Sequence, residues 1–283
     1  MIKIFRTKIF HFDGLNGAKP FVIFTLFCIL LAISGFRFTP GKTEKTWKVV
    51  VDAGHGGRDP GTIGAITKEK DVALPVALKV GEYLKKYGEN VEVVFTRDRD
   101  VFIDLKKRSE IANRHNADLF VSIHANSLPK NTPASKKASI RGTEIYVMGA
   151  QNTNRALEVA KRENSVILME EDYEKNYDFD PTSEESFILY NLTQSAYQEN
   201  SLILASLIDD QLTKRAGRKS YGVKQSSLYV MWSTAMPSVL VEIGYLSNPT
   251  EEKELRNEET QSYIASGIYR AIKEYKEAFD AQN

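Results

Sequence analysis

The sequence predicts an α/β layered domain. Six short runs rich in β-branched residues alternate with stretches of helical apolar spacing. Several of those runs end in glycine or histidine, as strands feeding loops do, and one long acidic stretch interrupts the alternation.

In chain order, residues 1–20 carry Lys3, Arg6, Lys8 and Lys19 against Asp13 alone, and an uncharged stretch covers residues 20–36. Its apolar part, residues 21–33, sits between a signal-peptide core and a short membrane span in length. Residues 1–36 are therefore read as a signal peptide or membrane anchor, placing the remainder of the chain outside the cytoplasmic membrane. Phe27 ahead of Cys28 argues against a lipoprotein signal. Residues 37–46 (RFTPGKTEKT) read as a linker.

Residues 48–52 (KVVVD) form a buried strand running into the glycine loop AGHGG. Residues 70–87 have helical spacing, with Pro75 tolerable only in a first turn and Gly88 as the stop. A strand is expected over 91–96, a helix over 105–116, and a third strand over 118–124, ending in His124. After a polar loop at 127–141, strands are expected at 144–148, 228–232 and 238–243, and a terminal helix at about 259–279. Between the strands at 144–148 and 228–232 lie too many residues for one crossover helix. Residues 161–199 there hold ten acidic and three basic residues, and the stretch reads as an acidic helical insertion on the core fold, not part of it.

Composition narrows the function. Hydrophobic residues make up 42% of the 283, enough for a real core. Lys plus Arg total 38 against 37 Asp plus Glu, without the basic excess of a nucleic-acid binder. A single cysteine leaves no disulfide framework, cysteine zinc finger or iron–sulfur cluster. The Gly54-His-Gly56 run has Asp59 where a dinucleotide fingerprint needs glycine, and neither a P-loop nor a G-x-S-x-G elbow occurs.

Chemistry concentrates at strand ends. His55 follows one buried strand and His124 ends another, and in open α/β sheets ligands gather beyond the carboxyl ends of strands. Two histidines and one carboxylate are a common catalytic zinc set, and Glu69 lies shortly after the glycine-rich loop. Glu242 sits between Val241 and Ile243, where a buried carboxylate needs a partner or a task. The plain alternative is an ion pair with a buried arginine such as Arg97 or Arg108. His115 and His11 are assigned no chemistry.

Five blocks, in order, carry a resemblance. Residues 51–61 (VDAGHGGRDPG), 67–71 (TKEKD), 96–98 (TRD) with 108–113 (RSEIAN), 122–126 (SIHAN) and 241–248 (VEIGYLSN) resemble the motifs of zinc-dependent N-acetylmuramoyl-L-alanine amidases of the bacterial cell wall. The similarity spans about residues 47–275. It implies a mostly parallel central sheet of about six strands flanked by helices, with residues 47–280 as the catalytic domain. It implies one zinc ion held by His55, Glu69 and His124, with Glu242 as the catalytic glutamate, hydrolysing the amide between N-acetylmuramic acid and L-alanine in peptidoglycan. Cell-wall remodelling or daughter-cell separation is the expected role, at the periplasm or the outer face of the membrane, by a monomer that touches the membrane only through its N-terminal segment.

Two departures from the pattern matter. Asn126 stands where some members have aspartate, and it is not counted as a ligand. The insertion, with Arg162-Glu-Asn164 and later Leu192-Thr-Gln-Ser195, resembles the regulatory segment of cell-division amidases. That resemblance implies autoinhibition by residues 152–200, an acidic residue such as Glu163, Glu170 or Glu171 near the metal, and release by an activator protein with a degenerate peptidase domain. The main rivals are a zinc carboxypeptidase, which needs Arg58, Arg97 or Arg141 in the cleft, and a wall-binding protein without activity.

Overall fold

The computed structural model describes residues 45–149, 153–171, 173, 177 and 197–282. The signal peptide or anchor expected over 1–36, most of the linker at 37–46 and much of 152–200 lie outside the described residues.

Six strands form one sheet: β1 (Trp47–Ala53), β2 (Val91–Phe95), β3 (Leu119–Asn126), β4 (Thr143–Met148), β5 (Ser220–Ser226) and β6 (Ser238–Tyr245). Their order is β2-β1-β3-β6-β4-β5, with every pairing parallel except β4 with β6. The mostly parallel sheet expected from the sequence is present.

Period-two alternation divides the strands between two cores. Val49 and Val51 of β1, Leu119 and Val121 of β3, and Val239 and Val241 of β6 face one side. There they pack against α1 (Lys70–Tyr87), α5 (Gln198–Lys214) and α8 (Glu258–Gln282). Val50, Phe120 and Leu240 face the other side, against α2 (Leu105–Arg114), α4 (Asn154–Asn164) and α6 (Tyr229–Trp232). Burying each such side chain contributes about 1.5–3 kcal/mol, so both faces of the sheet are committed. Two short helices, α3 (Ala134–Ser139) and α7 (Pro249–Leu255), complete the described elements.

The same alternation places the chemistry. Two residues beyond Val50, Phe120 and Leu240 on the second face come Asp52, Ser122 and Glu242, then His124, all buried. The register sets His124 of β3 opposite Glu242 of β6, and Glu242 opposite Glu144 of β4. A row of polar groups thus crosses the carboxyl end of an otherwise apolar face.

Three local expectations need correction. Residues 228–232 are not a strand: Tyr229–Trp232 form the helical turn α6, whose Tyr229, Val230 and Met231 fill the second core. The strand near there is β5, whose polar sequence SYGVKQS lies at the sheet edge, mostly half-buried, and so shows no apolar alternation. Pro75 is the sixth residue of α1, beyond the first turn; the carbonyl it leaves without a helical donor belongs to Asp71, on the exposed side. The acidic stretch is helical at its start, as expected, but that start is part of the core and not an insertion on it. Its first part is α4, whose Ala156, Val159 and Ala160 are built into the second core, followed by a 3-10 turn at Ser165–Met169.

Candidate metal centre

The loop after β1 brings His55 back over the sheet edge. His55 takes a left-handed φ of 60°, uncommon for a residue with a Cβ. Its Nδ1 is hydrogen-bonded to Asp59 Oδ2 at 2.7 Å, which fixes the ring and directs Nε2 inward. Glu69 immediately precedes α1; its Oε2 accepts from the Thr62 amide at 2.8 Å and its Oε1 from the Ala125 amide at 2.9 Å. The backbone must pass close to these side chains. A Cβ on Gly54 would lie 2.5 Å from the His124 ring, and one on Gly61 2.5 Å from the His55 ring and 2.7 Å from Glu69 Oε2.

His55, Glu69 and His124 therefore converge, and a fourth group joins them: Glu163, from the last turn of α4. His55 Nε2 lies 3.1 Å from Glu69 Oε1 and 3.2 Å from Glu163 Oε2; His124 Nδ1 lies 3.0 Å from both oxygens. One donor atom from each of the four residues falls within 4.8 Å of the others. Tetrahedral zinc with bonds of about 2.0–2.2 Å spaces its ligand atoms about 3.3–3.6 Å apart, a little wider than these separations. His55 Nε2 and Glu163 Oε2 are buried and make no hydrogen bond despite that proximity. Two buried polar atoms left without a partner at the middle of the cluster suit a cation between them.

Electrostatics agree. Burial opposes charge on His124, but the Glu163 and Glu69 carboxylates outweigh it and push the imidazole up to about 9. Burial likewise opposes charge on His55, and Glu69, Asp59 and Glu163 raise it well above the usual histidine range. Burial works against ionisation of Glu163, yet Arg162 and His124 hold its carboxyl well below the ordinary range. So dense a set of carboxylates demands positive charge at its centre, from protons or from a metal.

Glu242 lies beside this cluster, fully buried, and its ion-pair partner is neither Arg97 nor Arg108. Arg162 of α4 donates to Glu242 Oε1 at 3.0 Å and to Glu163 Oε1 at 2.9 Å. It also reaches Asn126 Oδ1 at 3.0 Å. Burial pushes Glu242 well above the usual carboxylate range, Arg162 pulls the other way, and Glu163 and Glu69 add to the rise. Asn126 stays outside the donor cluster: its amide donates to Glu144 Oε2 at 2.7 Å. Of the acidic candidates in the insertion, Glu163 is at the cluster. Glu170 instead accepts from the Leu105 amide at 2.8 Å, at the start of α2. Glu171 is an exposed residue in the turn after it.

The three arginines that a carboxypeptidase would need in the cleft are engaged elsewhere. Arg97 binds loop carbonyls, Arg58 donates to the Met169 carbonyl and covers Phe102, and Arg141 pairs with Glu254. The cavity between the two histidines, bounded also by Glu163 and Asn164, holds only about 10 Å³.

Comparison with known proteins identifies the family. The family model described as N-acetylmuramoyl-L-alanine amidase matches residues 49–274. The chain is 36% identical over 240 residues to N-acetylmuramoyl-L-alanine amidase AmiA of Escherichia coli (strain K12), covering 83% of this chain and 78% of that protein. Among solved structures, N-acetylmuramoyl-L-alanine amidase AmiC2 of Nostoc punctiforme is 30% identical with a TM-score of 0.56, covering 83% of this chain and 99% of that one. The catalytic domain of the amidase CwlV from Bacillus (Paenibacillus) polymyxa var. colistinus is 30% identical with a TM-score of 0.54, covering 82% and 98%. With the family model spanning nearly all of the described sheet and the strand-end cluster in place, the chain belongs to the N-acetylmuramoyl-L-alanine amidase family.

Proposed function

We propose that this amidase holds one zinc ion through His55, Glu69 and His124, uses Glu242 as its proton-transfer group, and rests in a state closed by α4. The family hydrolyses peptidoglycan at the amide joining N-acetylmuramic acid to L-alanine. Zinc in such a site supplies a water with a pKa of about 7 and an electrophile for the lactyl carbonyl. Glu242, buried beside the cluster, would take up a proton during the attack and deliver it to the departing amine of L-alanine. Asp59 holds the His55 ring in the tautomer that leaves Nε2 free for the metal.

The observation that carries the closed state is Glu163. A catalytic zinc keeps a fourth position for water, and here a carboxylate oxygen from α4 lies 3.0–3.2 Å from both histidine donor atoms. Its neighbour Arg162 simultaneously takes the carboxylate that would move the proton. One dipeptide thus occupies both halves of the apparatus, the metal position through Glu163 and the base through Arg162.

On this reading residues 152–200 are a regulatory segment, and activation requires a partner that draws α4 off the sheet. The sequence resemblance points to an activator with a degenerate peptidase domain. Residues 1–36 deliver the enzyme to the outer side of the cytoplasmic membrane, where its substrate lies. Among the described residues no helix is long and apolar enough to cross a membrane.

The test is to incubate the purified chain, and beside it the Glu163→Ala variant that frees the fourth position, with intact peptidoglycan, with and without zinc, and identify the soluble fragments by mass spectrometry. Stem peptides beginning at L-alanine, released by the variant only with metal and little by the unaltered chain, are expected. Release of a single terminal amino acid would replace the amidase reading with a carboxypeptidase.

A further inference from the structure

Side chains take the carbonyls of the loop carrying His55, while its amides at Gly54 and Gly56 bond to the backbone of Ile123 and Asp59. β1 ends at Ala53, and three consecutive carbonyls lie in the buried turn, those of Ala53, Gly54 and His55. Buried carbonyls require donors. Arg97 donates Nε to the Ala53 carbonyl at 2.8 Å and Nη2 to the Gly54 carbonyl at 2.7 Å. Arg108 donates Nη1 to the Ala53 carbonyl at 2.7 Å and Nη2 to the His55 carbonyl at 2.8 Å. Two guanidinium groups, exposed by only 3% and 1%, therefore take all three carbonyls.

Arg108 is itself tied to the sheet. Its Nη1 also meets Asp52 Oδ1 at 2.8 Å, while Thr96 and Ser122 donate to the two oxygens of the same carboxylate. Asp52 lies on β1 on the face that carries His124 on β3, so one anchor connects the His55 loop to the strand of the second histidine. The backbone at His55 is in the left-handed region, with φ at 60°, which a residue with a Cβ does not choose unaided.

We propose that Arg97 and Arg108 are positioning residues for His55: by gripping the carbonyls of residues 53–55 they enforce the left-handed turn that points Nε2 at the metal. The inference rests on His55 being a metal ligand and on nothing about autoinhibition. Planarity matters here, because each guanidinium spans two carbonyls with fixed donors, whereas a lysine ammonium is a single charged point.

The test measures zinc affinity of the full chain by competition with a chromophoric chelator, alongside circular dichroism. Arg108→Lys and Arg97→Lys are each expected to weaken zinc binding about 10–100-fold, the usual range for losing support behind a metal ligand. Ile272→Ala, a cavity in α8 on the opposite face of the sheet, is the control for general destabilisation and is expected to leave the affinity unchanged. In a His55→Ala background the arginine substitutions are expected to have no further effect, since their action runs through that ring.

Unchanged zinc affinity in both arginine variants would overturn the proposal, as would an equal loss in Ile272→Ala or a full additional loss in the His55→Ala background. Should Arg108→Lys fail to fold, Arg97→Lys decides alone, because it removes the grip on Ala53 and Gly54 without touching the Asp52 pair. A wild-type chain that binds no zinc would instead remove the metal reading itself, and is distinguishable from these outcomes.

Discussion

Substituting Glu163→Ala should raise amidase activity of the isolated chain by about 100-fold. In the closed arrangement this carboxylate is 4% exposed, pairs with Arg162 at 2.9 Å, and presents its other oxygen to both histidines. Removing one partner of a buried ion pair costs about 3–5 kcal/mol. The cost falls on the closed state, because in the open state both groups face water. At about 1.4 kcal/mol per factor of ten, the closed population would lose about two to three and a half powers of ten. The lower end is the better figure, since Arg162 is 27% exposed and keeps its hold on Glu242. The assay is the rate of stem-peptide release from peptidoglycan at saturating zinc, with bound metal measured in parallel. Equal rates for the two proteins at equal zinc content would refute the idea that this carboxylate keeps the site shut. Arg162→Ala offers an independent arm, freeing Glu242 while leaving the fourth position occupied.

The same geometry sets further expected outcomes. Glu242→Gln, made in the Glu163→Ala background, should retain zinc while activity falls about 10²-fold or more; retained activity would take the proton-transfer role from this residue. His124→Ala should lose metal and activity together, and unchanged zinc occupancy would remove His124 from the ligand set. Zinc affinity should also fall as pH falls. In the metal-free site the Glu163 and Glu69 carboxylates overcome burial to keep His124 protonated up to about 9, and His55 is raised in the same direction. A ligand must be neutral to bind, so zinc displaces one to two protons below that value. The apparent affinity should then drop about 10–100-fold for each unit of pH, and a titration flat between about pH 6 and about pH 8 would contradict it.

Much of this is legible in the chain. Strand–helix alternation and β-branched runs identify five of the six strands and the helices α1, α2 and α8, because local periodicity records which face of an element is buried. The same periodicity locates Glu242 as a carboxylate in a core strand, and the strand-end positions of His55 and His124 accord with the rule that active groups gather at carboxyl ends. Two elements escape that reading for physical reasons: β5 is a polar edge strand, and residues 229–232 are apolar because they fill a core as a helical turn. Other features appear only on folding. No spacing ties Glu163 to His55, more than a hundred residues apart in sequence, and an acidic stretch gives no sign of which carboxylate turns inward. The pairing of Glu242 with Arg162, and the grip of Arg97 and Arg108 on three carbonyls, likewise depend on how α4 and the loops pack across the sheet. Sequence determines the chemistry available at each strand end because that information is local. Convergence on one point is a long-range property, and the tertiary structure alone decides it.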